Sequence, residues 1–151
     1  MIKINAVKNL SGYEFNAMKF GNPIRENKVS RFYVYCGRPW NNRHGRSLKG
    51  SPLQNLYKPS KEVSVKECIK LYENKIRIAP LRAEKVDKCG ATYLYELGYV
   101  SMRNELDRIL SLCSQYDIVV LVCHCPKKED DEEVQCHTKI IRSQLEERMG
   151  T

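Results

Sequence analysis

The chain has 151 residues, 42% hydrophobic and 29% charged, an ordinary globular balance. Its longest apolar run, Ile118 to Cys123, falls far short of the roughly 20 residues a spanning helix needs. The first ten residues lack a secretion signal's apolar core. These features predict a single soluble, cytoplasmic domain over residues 1–151, with no membrane partner.

Ile2, Ile4 and Ala6 alternate with polar residues, which predicts a first strand. Residues 11–27 are mixed, and Gly21-Asn22-Pro23 reads as a turn. Arg31 to Cys36, RFYVYC, is β-branched and aromatic and predicts a second strand. A loop from Gly37 to about Ser60 follows, with Gly45, Gly50, Pro52, Pro59 and the chain's only tryptophan, Trp40. Loops of this length are usually functional or disordered. Ser64 and Glu67 have capping-box spacing and predict a helix start. Val65, Ile69, Leu71, Tyr72 and Ile76 form its apolar stripe, and Pro80 marks its expected end.

Residues 85–99 read ambiguously, with a short helix over Ala91 to Leu97 as one option. Ser101 is the expected cap of a helix presenting Leu106, Ile109, Leu110 and Cys113. Tyr116-Asp117 turns into Ile118 to Cys123, apolar on both faces, the pattern of a central parallel strand. A last helix is expected from about Cys136 through Ile140, Ile141, Leu145 and Met149. The order predicts an α/β fold: a small parallel or mixed sheet flanked by helices.

The net charge of +8 is uneven. Residues 1–60 carry 11 Lys/Arg against 2 acids, and residues 61–151 carry 15 against 16. No acid falls between Glu26 and Glu62, whereas Lys28, Arg31, Arg38, Arg43, Arg46, Lys49, Lys58 and Lys61 do. Such a field favours a phosphate-bearing small molecule or nucleic acid.

Seven cysteines are an odd number. Cys68 and Cys113 lie on apolar helix faces and read as core. The others of interest cluster: Cys123-His124-Cys125-Pro126, then Cys136-His137. Cysteine and histidine are the usual zinc ligands, yet this spacing is not a standard one. Three readings stand open. Cys123, Cys125 and Cys136, with or without a histidine, bind zinc. Cys136 is a reactive thiol at a helix N-terminus, where the dipole favours anions. Or the cysteines are packing residues and the histidines incidental. Both features begin where a predicted strand ends, after Cys36 and after Val122. Open α/β sheets place ligands at such carboxyl ends, so the two regions, 31–60 and 117–149, are expected to form one site.

Two separated blocks carry a resemblance. Tyr33 to Pro39, YVYCGRP, followed by Gly50 to Leu56, GSPLQNL, resembles the Y-I-G-R … S-P-L-G-N-P-F block of the domain of unknown function 4326 family. Leu121 to Pro126, LVCHCP, with Cys136-His137, is similar to that family's second block. The resemblance covers residues 31–149 and implies a small α/β protein of a kind common in bacteriophages and bacteria. It groups Gly37, Arg38, Ser51, Pro52, Asn55, Cys123, Cys125, Cys136 and His137. Gln54 stands where the pattern has glycine, Leu56 where it has proline and His124 where it has tryptophan.

Three functions fit. In the first, Gly37, Arg38, Ser51, Pro52 and Asn55 bind a nucleotide, nucleoside or other phosphate-bearing ligand, and Cys136 or His137 supplies chemistry. The second is a nonenzymatic nucleic-acid-binding module using the basic loop with Tyr33, Tyr35, Trp40 and Tyr57. The third is a phage protein that binds and inhibits a host protein. The chain has no P-loop, G-x-G-x-x-G, H-E-x-x-H or G-x-S-x-G motif.

Overall fold

The computed structural model describes residues 3–7, 23–26, 28–41, 47–58, 60–90, 93–122 and 137–150. Strand β1 spans Lys3–Val7, β2 Pro23–Glu26, β3 Val29–Tyr35, β4 Trp40–Asn41 and β5 Ser47–Leu48. Helices α1 (Val65–Cys89) and α2 (Leu94–Gln115) follow, then β6 (Ile118–Val122) and α3 (His137–Gly150). The fold is mixed α/β, as its alternation of elements predicts.

Four strands form one sheet in the order β1-β6-β3-β2. β6 lies between β1 and β3 and runs parallel to both. Val119 to Val122 are all buried, which explains the unbroken apolar run: both faces of a central strand are covered. β2 pairs antiparallel with β3 on the outer edge. The sequence reading missed β2 because Gly21-Asn22-Pro23 resembles a turn. Pro23 is instead the first residue of an edge strand, where a missing N–H costs no ladder bond. In the β2–β3 connection Lys28 adopts φ 66°, the left-handed conformation of tight hairpin turns. The expected structureless loop after Cys36 contains the short β4–β5 pair, Trp40 opposite Leu48 and Asn41 opposite Ser47.

Phe32, Val34, Val119 and Leu121 join one core with residues of all three helices. From α1 come Tyr72, Ile76 and Ala79, from α2 Met102, Leu106, Ile109 and Cys113, and from α3 Ile140, Ile141 and Leu145. At the opposite strand ends, Ser30 and Asp117 exchange hydrogen bonds: the Ser30 N–H and hydroxyl donate to Asp117 Oδ2, and the Asp117 N–H donates to Ser30 Oγ.

Two helix boundaries differ from expectation. α1 begins as predicted, with Ser64 Oγ accepting the Glu67 N–H at 3.1 Å. It does not end at Pro80 but runs on to Cys89, where Gly90 closes it at φ 66°. Proline inside a helix costs about 3 kcal/mol. Here Ile76 and Ala79 before it and Ala83 after it are fully buried on the same face, and that burial holds the helix through the break. α2 starts at Leu94, not after Ser101, so Ser101 is an exposed interior residue rather than a cap. The expected short helix over 91–97 is, from Leu94 onward, the first turn of α2; residues 91 and 92 lie outside the described residues. Buried Glu96, paired with Arg82 of α1 at 2.8 Å, ties that turn to α1. Leu71 and Met149, expected on apolar stripes, are exposed.

Cys68 and Cys113 are buried, as expected. Burial pushes the Cys113 thiol up from 9.0 to about 11. The unfolded chain therefore releases this proton first. Stability is predicted to fall as pH rises from about 9 to about 11, where only the unfolded thiol ionises. Urea midpoints at pH 8, 10 and 11 check this: Cys113→Ala should show a shallower alkaline loss than the parent chain.

Candidate functional site

The three parallel strands end in register. Val7 and Tyr35 both lie opposite Val122 across the ladders. One residue further, the Cys36 N–H donates to the Val122 carbonyl at 2.7 Å, so β3 stays attached to β6 as it leaves the sheet. On its other side the Cys36 carbonyl accepts a 2.6 Å hydrogen bond from His137 Nε2, at the first residue of α3. Cys36 thus bridges the end of β6 and the start of α3.

Gly37 follows, buried. A Cβ there would lie 2.6 Å from Tyr35 Oη and 2.8 Å from its Cζ, so any larger residue must displace the ring. Tyr35 donates its hydroxyl to the Arg38 carbonyl at 2.5 Å, fixing the bend. Ser51 returns to this point, its N–H donating to the Gly37 carbonyl at 2.9 Å. Residues 51–54 form a β-turn closed by the Gln54 N–H on the Ser51 carbonyl, with exposed Pro52 presetting the first corner. Ser51 Oγ accepts the Leu53 N–H at 3.0 Å. Leu53 is fully buried, and its carbonyl accepts the Tyr72 hydroxyl of α1 at 2.5 Å. Asn55 Oδ1 accepts the Tyr57 N–H at 3.0 Å, an Asx turn.

Arg38 is exposed yet anchored. Its Nε donates to the Asn55 carbonyl at 2.8 Å, and Nη2 lies 3.4 Å from the Tyr57 carbonyl. A guanidinium has five N–H donors, so this anchoring leaves capacity on an exposed head. Lys75 of α1 stands over the Tyr57 ring, 5.9 Å from its centroid, and adds a second cation nearby.

The structure therefore brings Gly37, Arg38, Ser51, Pro52, Asn55 and His137 to one edge. It also alters what several of them can do. The N–H groups of Ser51, Leu53, Gln54 and Tyr57 are engaged within the loop, so this turn offers none of them to a ligand. Ser51 Oγ likewise faces inward, accepting the Leu53 N–H. The His137 imidazole is buried, its Nε2 held by Cys36 and its ring edge-on to Tyr72 at 5.4 Å. Gln54 lies against Gly50: a Cβ on Gly50 would meet its Nε2 at 2.7 Å. The backbone that this glutamine approaches is the chain's own.

Cys123, His124, Cys125 and Cys136, and with them the zinc reading, lie outside the described residues. Cys123 directly follows Val122 and Cys136 directly precedes His137, the two residues that bond Cys36. Among the described residues no group of three His, Cys, Asp or Glu is placed to hold a metal ion.

The profile of the family described as Domain of unknown function (DUF4326) matches residues 19–147. The chain belongs to the DUF4326 family. The matched span includes every residue the resemblance grouped. No curated protein and no solved structure matches the chain.

In this DUF4326 chain, sequence reasoning missed Cys36, Leu53 and Tyr72. The alternation Phe32, Val34, Cys36 points to the first, since one strand face is core. Nothing in the sequence places Tyr72 against a carbonyl 19 positions earlier. A separate groove of about 380 Å³ lies between α1 and α3, lined by Glu73, Arg77, Lys139, Ser143, Gln144 and Glu147 among others. None of the sequence-predicted site residues lines it. No helix among the described residues is long and apolar enough to cross a membrane.

Proposed function

We propose that this DUF4326 protein recognises a phosphate-bearing ligand, a nucleotide or nucleoside phosphate, at the carboxyl edge of its three parallel strands. One observation carries the reading. Arg38 is exposed and anchored through its Nε at the edge where those strands end and α3 begins. A held guanidinium loses less freedom on pairing with phosphate than a mobile one. The first N–H groups of α3 and the positive end of its dipole support an anion on the same side. Lys49, Lys58 and Lys75 extend the positive field.

His137 enters this proposal as a positioning residue, because its Nε2 is given to the Cys36 carbonyl. Cys136 remains the candidate nucleophile. Zinc held by Cys123, Cys125 and Cys136 belongs to the same proposal, and metal analysis of the purified chain tests it. Whether the bound phosphate is transformed or only sensed is what turnover assays on a bound ligand decide.

The test is thermal shift against nucleotides, nucleotide sugars and short DNA and RNA at two salt concentrations. A mononucleotide is expected to raise Tm, and Arg38→Ala to abolish the shift. Arg38→Lys, which keeps charge but loses the fork, should bind weakly. Absence of any nucleotide-dependent shift in the parent chain contradicts the reading. Strongly salt-dependent binding of oligonucleotides alone favours a nucleic-acid module instead.

A further inference from the structure

Among the described residues, an exposed apolar surface lies outside both the core and the strand-edge site. Tyr93, Leu94, Tyr95 and Leu97, at the tip of the α1–α2 hairpin, are 64%, 87%, 62% and 44% exposed. The core stripe of α2 begins later, with Tyr99 packed against the core and Met102 buried in it. The two tyrosine rings stack on one another, 5.7 Å between centroids and 13° between planes, as a flat, preformed face.

We propose that this tip is where two copies of the chain pair about a two-fold axis. The first argument is area. Four such side chains expose on the order of 500 Å², at the upper end of what monomers leave in a single apolar patch. Doubled and completed by a polar rim, the patch reaches the roughly 1,200 Å² at which stable interfaces begin.

The second argument is charge. Over residues 82–97, Arg82, Lys85 and Lys88 balance Glu84, Asp87 and Glu96, in a chain whose net charge is +8. Four of these six charges close on one another, Arg82 on Glu96 and Lys88 on Glu84, while Asp87 pairs with Arg103 further along α2. A rim neutral in itself does not repel its own copy. It offers no net field to nucleic acid or an anionic bilayer, both of which need excess cations. The basic segment 28–61 repels a second copy; the hairpin tip does not. In a two-fold pair the same patch meets itself, so a self-neutral, apolar surface satisfies both sides at once.

Sedimentation of the full chain over a concentration series tests this. The parent chain should move from monomer to dimer as concentration rises. Leu94→Glu changes a side chain that packs on almost nothing, so the fold should hold, checked by an unchanged circular dichroism spectrum. It should weaken dimerisation by more than about tenfold. A parent chain that stays monomeric throughout, or a dimer indifferent to Leu94→Glu, overturns the proposal. So does a monomeric parent that binds oligonucleotides or lipid vesicles through the tip, with that binding lost in Leu94→Glu.

Discussion

Leu53→Ala is expected to cost about 3 kcal/mol, within the range of roughly 2–5 for buried leucine truncations. Leu53 is the plug of the segment that follows β3. It is fully buried and belongs to the same core as Tyr72, Ile76 and Leu121. Ser51 Oγ satisfies its N–H and the Tyr72 hydroxyl its carbonyl, so the backbone enters the core without an unpaired group. Truncation empties the plug and loosens the chain carrying Arg38 and Asn55. Tm should fall by about 6–12 °C for a chain of this size. Nucleotide affinity should fall with it. Tyr72→Phe separates the two effects: it keeps the ring and leaves one buried carbonyl short of a donor, at about 1–2 kcal/mol. A Leu53→Ala chain with unchanged stability contradicts the packing described.

His137→Ala is the second large effect, at about 2–4 kcal/mol from lost packing and a lost buried hydrogen bond. The ring touches Tyr72 and its Nε2 bonds the Cys36 carbonyl, so it joins α3, α1 and the end of β3. His137→Gln offers an amide donor in the same direction and should recover part of the stability. It should also recover part of the nucleotide binding, the behaviour of a positioning residue. A general acid or base would behave otherwise: His137→Gln would bind normally and lose turnover. Urea unfolding of the three chains, with ligand titration of each, distinguishes the cases.

Much of the frame was legible in the sequence. The run Ile118 to Cys123, apolar on both faces, means a central strand, and β6 is one. Ser64 and Glu67 announce the start of α1. Gly37, Ser51 and His137 lie together where β3 ends, the strand end at which the sequence argument looked for a site. What escaped were features decided by tertiary contact. Pro80 is a local helix breaker, overruled by burial of Ile76, Ala79 and Ala83 around it. Ser101 looks like a cap, but Glu96 and Arg82 extend the helix past it. The inward use of the Ser51 hydroxyl and of the His137 Nε2 was equally hidden. Residue type says that a group can bond a ligand, not that the fold has already taken it. Nor does residue type announce how Arg38 is held, since its anchoring carbonyls at Asn55 and Tyr57 lie 17 and 19 positions away.

Amide chemical-shift mapping with a nucleoside monophosphate tests the central claim most directly. Shifts should concentrate on Gly37, Arg38, Asn55 to Tyr57 and the first turn of α3, and Arg38→Ala should erase them. Shifts confined to the α1–α3 groove around Arg77 and Lys139, or absent at saturating ligand, would contradict a phosphate site at the strand edge.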